Sequence, residues 1–322
     1  MTSWLVPPSS STGNGRRIEL PGTDLWIGAI DKVFVYPSEL DIDRFKDAMS
    51  RTLTVWPLVG GRFLLLDGGQ YLIEMSDNPI PVTYVENTEL AAWPTNLSFV
   101  AEIPLESFID EVQVMKLSQD EPLFRVKLTH LVQCGEWILG ASWAHVLGDA
   151  AAFLNFLNTV SRLYQRLELL ELLPVFERRL WRENEADQSF LPIMKFLRDA
   201  GPSQEMFKLV SSWEDTHEPL NLRFSGEQLA KLRELASGNN VTIQDSLSAY
   251  IILMLNTHCY LNDDPRRILR ASTVVNYRGV SDLIAPAGHV SNAVCMMLSD
   301  DFDDPLSLSS IAKTIRRSIV RS

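Results

Sequence analysis

Residues 123–164 constrain the fold of this chain more than any other stretch. Residues 123–132 alternate in polarity, Gly135-Glu136 follow, and Trp137 to Trp143 runs almost unbroken in apolar side chains. Two such runs across a tight turn predict an antiparallel pair of strands. The first strand then has either one wet face or a central place in a mixed sheet. Phe153, Phe156, Leu157, Val160, Leu163 and Tyr164 recur at helical spacing, a stripe that must pack on that sheet. A hairpin feeding directly into an amphipathic helix makes this an α/β protein.

The flanking segments repeat the rhythm. Residues 28–36 read as a strand, and Asp41 caps a helix carrying Ile42, Phe45, Met49 and Leu53, which Pro57 ends. Val59 to Leu66 follows as an apolar strand, with Asp67-Gly68-Gly69 turning into Gln70 to Ile73. Between residues 165 and 205 charged and Leu-rich pieces alternate with Pro174, Pro192 and Pro202, as in a crossover between domains. The second half restarts with a strand at Asn221 to Phe224. A capping box at Ser225 to Gln228 then opens a helix buried through Leu229, Leu232 and Leu235 and ended by Gly238. Thr242 caps a helix with Ile243, Leu247, Tyr250, Ile251 and Met254. Strands are predicted at 268–276 and 290–298, and Asp304-Pro305 begins a last helix with Leu308, Ile311, Ile315 and Ile319 on one side.

Composition narrows the function. The 322 residues are 46% hydrophobic, enough for two cores rather than one, and carry a formal charge of −12. No basic stripe interleaved with aromatics is present, which argues against nucleic acid. The tight basic groups, Arg266, Arg267 and Arg270, then Arg316, Arg317 and Arg321, read as solvated faces. Cys134, Cys259 and Cys295 lack metal-ligand spacing; Cys134 and Cys295 fall in strand-like runs, as buried free thiols do, and a reducing compartment fits. No metal site is expected. The first residues lack a signal-peptide pattern, and no stretch reaches the ~18 apolar residues of a membrane span, so a cytoplasmic location is expected.

Ser142-Trp-Ala-His-Val-Leu-Gly-Asp-Ala150 carries the chemistry. His145 and Asp149 stand four positions apart where strand gives way to helix. An imidazole titrates close to neutral pH and serves as a general base when its tautomer and orientation are fixed. The spacing alone arises by chance in roughly one chain in three or four of such composition. Asp149 serves equally as the N-cap of the helix that follows. A buried aspartate otherwise needs a cationic partner. His289 reads as structural or surface, and Lys127 and His130 as ordinary strand residues.

Outward from His145 the chain resembles the plant and fungal BAHD acyltransferases, which carry an H-x-x-x-D(G) motif and use acyl-CoA. Pro57-Leu-Val-Gly-Gly-Arg-Phe63 looks like that family's PLAGR segment. Asp149-Ala-Ala-Ala-Phe153 continues as the family does, and Thr242 to Ala249 is similar to the start of its central second-domain helix. Val274-Val-Asn-Tyr-Arg278 with Gly288-His-Val-Ser-Asn292 is similar to its VNxR…GN stretch.

The resemblance implies two similar mixed-sheet α/β domains of the chloramphenicol-acetyltransferase type. Here they are residues 1–180 carrying the motif, a linker over 181–210, and a partial second domain over 211–322. It also implies transfer of an acyl group from acyl-CoA, a co-substrate and not a bound cofactor, to a hydroxyl or amine of a small molecule in secondary metabolism. His145 would be the base, with no acyl-enzyme; Asp149 would be structural, with Arg278 its salt-bridge partner. Ser142, Trp143, Tyr277 and Asn292 are expected as substrate-binding residues.

The chain departs from the family pattern twice. Ala150 stands where the family often has Gly, so the loop should leave the motif in ordinary helical conformation. The family's Asp-Phe-Gly-Trp-Gly run is missing, which implies an incomplete second domain: a fragment, a shortened product, or a chain whose gap a partner covers, and otherwise a monomer. The competing function is a non-catalytic accessory or interaction protein that keeps the fold. A peptide-synthesis condensation domain is a third reading, but it has a second histidine where Ala144 stands.

Overall fold

The computed structural model describes residues 1–12, 14–26, 28–67, 69–94, 105–180, 222, 224–261 and 264–320. The predicted linker over 181–210, Asn221 and Arg223 of the predicted strand at Asn221 to Phe224, Gly68 of the predicted turn, and Arg321 lie outside the described residues. The chain forms two compact units. Met1–Asn221 with Pro286–Asn292 makes the first, and Leu222–Ala285 with Ala293–Ser322 makes the second.

In the first unit a five-stranded mixed sheet contains β1 (Thr2–Val6), β3 (Ala29–Tyr36), β6 (Ile80–Asn87), β7 (Phe124–Leu131) and β8 (Glu136–Ala144). The strand order is β1-β6-β7-β8-β3, with only β6 and β7 parallel. β7 is therefore central, the second of its two predicted placements. β2 (Arg17–Glu19), β5 (Tyr71–Glu74) and β4 (Arg62–Leu65) form a smaller sheet. The predicted strand from Val59 begins later, at Arg62, because Pro57–Gly60 closes a single 3-10 turn first.

Every residue of β8 after Glu136 is buried, which explains its unbroken apolar character: both of its faces are covered. On one face Trp137, Leu139, Ala141 and Trp143 meet the helical layer of α1 (Ile42–Val55) and α2 (Ala150–Tyr164). Trp143 stacks on Phe153 at 5.3 Å, and Phe124 meets Phe156 edge-on at 4.9 Å. On the other face Ile138 packs with Phe108, and the chain near Phe108 passes so close to Gly140 that a Cβ there would collide with the Phe108 carbonyl. Contrary to the expectation of a buried thiol, Cys134 lies in the turn between β7 and β8 and is exposed.

The second unit is built on α3 (Gly226–Ala236), α4 (Ile243–His258) and α5 (Leu308–Val320), with β9 (Ser272–Asn276) antiparallel to β10 (Val294–Leu298). The predicted capping box forms at Ser225 with Gln228, and the predicted cap at Thr242 forms a second one with Asp245. The helix faces differ from expectation. Leu235 is 65% exposed, because it stands about 120° around the helix from Leu229 while Ala236 falls on Leu229's side.

On α4 the predicted stripe of Ile243, Ile251 and Met254 is exposed, and Asp245, Ser246, Ala249 and Asn256 are buried instead. Small residues allow close helix approach, and the polar ones are satisfied locally. Asn256 Nδ2 donates to the Ile268 carbonyl at 2.8 Å and to the Pro305 carbonyl at 3.1 Å. Holding Ile268 in this way also shortens the predicted strand at 268–276 to Ser272–Asn276. The last helix starts at Leu308 rather than at Asp304, because Asp304 closes a turn on Leu306 N–H and the Ser307 hydroxyl accepts from Ser310 N–H.

Candidate active site

The His-Asp segment begins where β8 ends. His145–Leu147 makes one 3-10 turn, and His145 N–H donates to the Gly28 carbonyl at 2.9 Å, tying the turn to the start of β3. Gly148 takes φ 146°, and a Cβ there would stand 2.8 Å from the Ser291 carbonyl. Glycine is required at this point by conformation and by space. Asp149 then caps α2, its Oδ1 accepting from Ala151 N–H at 3.0 Å and Ala152 N–H at 3.1 Å. Ala150 is the first helical residue, as expected of a non-glycine there.

The segment 288–292 runs alongside. Asp149 N–H donates to the Ser291 carbonyl at 3.2 Å, while Val175 and Gly288 to Val290 exchange backbone bonds. His289 is buried with both ring nitrogens engaged: Nε2–H donates to the Glu177 carbonyl at 2.8 Å and Nδ1 accepts from the Ser291 hydroxyl at 2.9 Å. It is structural, the first of the two readings its sequence allowed.

Asn292 reaches His145 directly. Its Oδ1 lies 2.9 Å from Nδ1 of the imidazole. Its Nδ2 donates to the His145 carbonyl at 3.1 Å and to the Thr23 carbonyl at 3.2 Å. Two carbonyl acceptors fix which end of the amide is nitrogen, so Oδ1 must accept from His145 and Nδ1 must carry the proton. Nε2 is thereby left with a lone pair, the form a general base needs. The Asn292 N–H in turn donates to Asp24 Oδ1 at 2.8 Å. The imidazole is half-buried, and Trp26 stacks on it at 4.9 Å and 11° while itself 62% exposed.

Sequence reasoning missed Asp24 and Trp26, because no local pattern marks a residue whose partner lies more than a hundred positions away. Asn292 was expected to contact substrate, and the structure puts its side chain against the His145 imidazole. Ser142 and Trp143 are corrected: both are fully buried, Ser142 Oγ accepting from Val112 N–H at 2.9 Å and Trp143 Nε1–H donating to the Gly148 carbonyl at 2.9 Å. They hold the motif from beneath instead of lining an open pocket. Tyr277 and Arg278 belong to the second unit. There Tyr277 N–H bonds the Ala293 carbonyl at 3.2 Å, and Arg278 Nη1 donates to Asn276 Oδ1 at 3.0 Å. Among the described residues no cluster of three His, Cys, Asp or Glu side chains is arranged to hold a metal, and no helix is long and apolar enough to cross a membrane.

The model of the Transferase family matches residues 2–317. The chain belongs to that family, the BAHD-type acyltransferases. Among curated members it is similar to shikimate O-hydroxycinnamoyltransferase of Nicotiana tabacum, 26% identical over 201 residues, which are 60% of this chain and 45% of that protein. The chain spans less than half the length of the curated relatives it matches. Two solved structures share its fold. Vinorine synthase superposes with a TM-score of 0.65 at 17% identity, over the whole chain and 76% of that protein. TRI101 of F. graminearum, solved with ethyl coenzyme A, gives 0.66 at 15% identity over 95% of the chain and 74% of that protein. The BAHD fold is the expected mixed α/β type.

Proposed function

We propose that the protein is an acyl-CoA-dependent acyltransferase in which His145 is the general base. The observation that carries this reading is the bond from Nδ1 to Asn292, which reserves the Nε2 lone pair for the acceptor. In the proposed reaction Nε2 takes the proton of an acceptor hydroxyl or amine as that atom attacks the thioester carbonyl. The tetrahedral adduct collapses with loss of the C–S bond, and the imidazolium returns the proton to the CoA thiolate. Acyl group, proton and electron pair balance without an acyl-enzyme. The activities for which the relatives are named support the class: one moves a hydroxycinnamoyl group to shikimate, and another acts on alcohols.

Asp149 is structural in this account. Its carboxylate caps α2, and we assign Arg278 as its cationic partner, an arrangement that turns it away from substrate. The acceptor is a small molecule of secondary metabolism, and free thiols at Cys134, Cys259 and Cys295 suit a cytoplasmic setting. The test is release of CoA thiol from acyl-CoA in the presence of a panel of hydroxylated and amine acceptors. Release that requires the acceptor supports transfer. Release that ignores the acceptor contradicts it.

A further inference from the structure

We propose that the buried ion pair of Asp24 and Arg178 is a positioning device for His145, fixing the tautomer of its ring. The proposal rests on the reading of His145 as the base. Both side chains are 1% exposed, so both charges have been stripped of water. A pair so placed contributes little net stability, since apolar residues of similar volume commonly serve as well. Its bonds show what it does instead.

Arg178 Nε meets one carboxylate oxygen of Asp24, and the other oxygen, Oδ1, accepts from Asn292 N–H at 2.8 Å. The arginine's remaining nitrogens donate to two carbonyls, Nη1 to Phe176 at 2.8 Å and Nη2 to Leu147 at 3.2 Å. Leu147 closes the turn that His145 opens. One ion pair thus anchors both ends of the Asn292–His145 bond, the amide through its own backbone and the imidazole through its turn. A carboxylate accepts at two oxygens and a guanidinium donates as a rigid fork, so no apolar substitute maintains both anchors. The elements tied together, residues 22–24, 145–147, 176–178 and 292, are distant in sequence and share no sheet. Without the pair, the amide of Asn292 is free to swing off Nδ1, and the ring reverts toward the Nε2–H tautomer, in which the base position is already occupied.

The test uses the full chain with Arg178→Lys, Arg178→Met and the doubly neutral Asp24→Asn/Arg178→Met. Arg178→Lys keeps the ion pair, and with it the fold, but withdraws the fork from Leu147. The double variant leaves no lone buried charge should Arg178→Met alone fail to fold. The first readout is the pair of ¹⁵N ring resonances of His145, identified by their loss in His145→Gln. Wild type is expected to show protonated Nδ1 and unprotonated Nε2, and variants that melt like wild type should shift toward the other tautomer. The second readout is thiol release, where kcat should fall at least about tenfold with KM for acyl-CoA nearly unchanged. Folded variants with the wild-type tautomer and kcat would overturn the proposal. Full activity in His145→Gln would instead sink the base reading, and the tautomer readout would still judge the ion pair by itself.

Discussion

Oδ1 of Asn292 lies 2.9 Å from Nδ1 of His145, and the side-chain nitrogen of the same asparagine is held by the carbonyls of Thr23 and His145 itself. Substitution should therefore act on proton transfer before it acts on binding. Asn292→Ala should lower kcat by tenfold or more, within the ~10²–10⁴-fold that general-base catalysis typically supplies. The KM for acyl-CoA should change little. Steady-state kinetics that place the loss in KM alone would contradict this.

Gly148→Ala meets two obstacles, a backbone at φ 146° and the Ser291 carbonyl 2.8 Å from the new Cβ. A side chain forced into such a conformation costs roughly 1–3 kcal/mol. Denaturant unfolding of the variant should show a loss in that range. No loss would mean that the turn after His145 is not held as described.

Asp149 can be divided into cap and charge. Asparagine caps a helix about as well as aspartate, so Asp149→Asn should keep the bonds to α2, whereas Asp149→Ala should forfeit about 0.5–2 kcal/mol. If Arg278 is the cationic partner, Asp149→Asn and Arg278→Ala should be non-additive, with a coupling of roughly 0.5–3 kcal/mol in a double-mutant cycle. Additive losses would remove Arg278 from the account, as would a loss on Arg278→Ala below about 0.5 kcal/mol.

Much of this was legible in the chain. The hairpin of β7 and β8 and the helix after it follow undisturbed periods of 2 and 3.6, and the histidine and aspartate sit where that pattern changes. The buried face of α4 was not legible, because close helix packing selected Asp245, Ser246, Ala249 and Asn256 over the larger apolar side chains nearby. The partners of His145 were harder still. Asn292 was identified but its role was not, and Asp24 bonds to a residue 268 positions further on. Long-range bonds of this kind leave no period or spacing to read.

Asp77 supplies a pH test of the N-terminal segment. Its carboxylate is held below the usual range, first by the Thr12 hydroxyl and then by the Thr12 N–H, with smaller help from Ser11 and Asn14. A carboxyl depressed on folding stabilises above its unfolded pKa, and that contribution disappears as pH falls through the folded value. Wild type should melt above Asp77→Asn at pH 7, and the two curves should converge in acid below the ordinary carboxylate range. A gap in Tm that stays constant down to pH 2 would contradict the assignment.

The most direct measurement is acceptor-dependent thiol release from acyl-CoA by wild type and by His145→Ala under matched folding. If His145 is the base, its loss should lower kcat/KM by about 10²–10⁴-fold while the circular dichroism melt stays close to wild type. Equal rates for the two proteins would contradict the account.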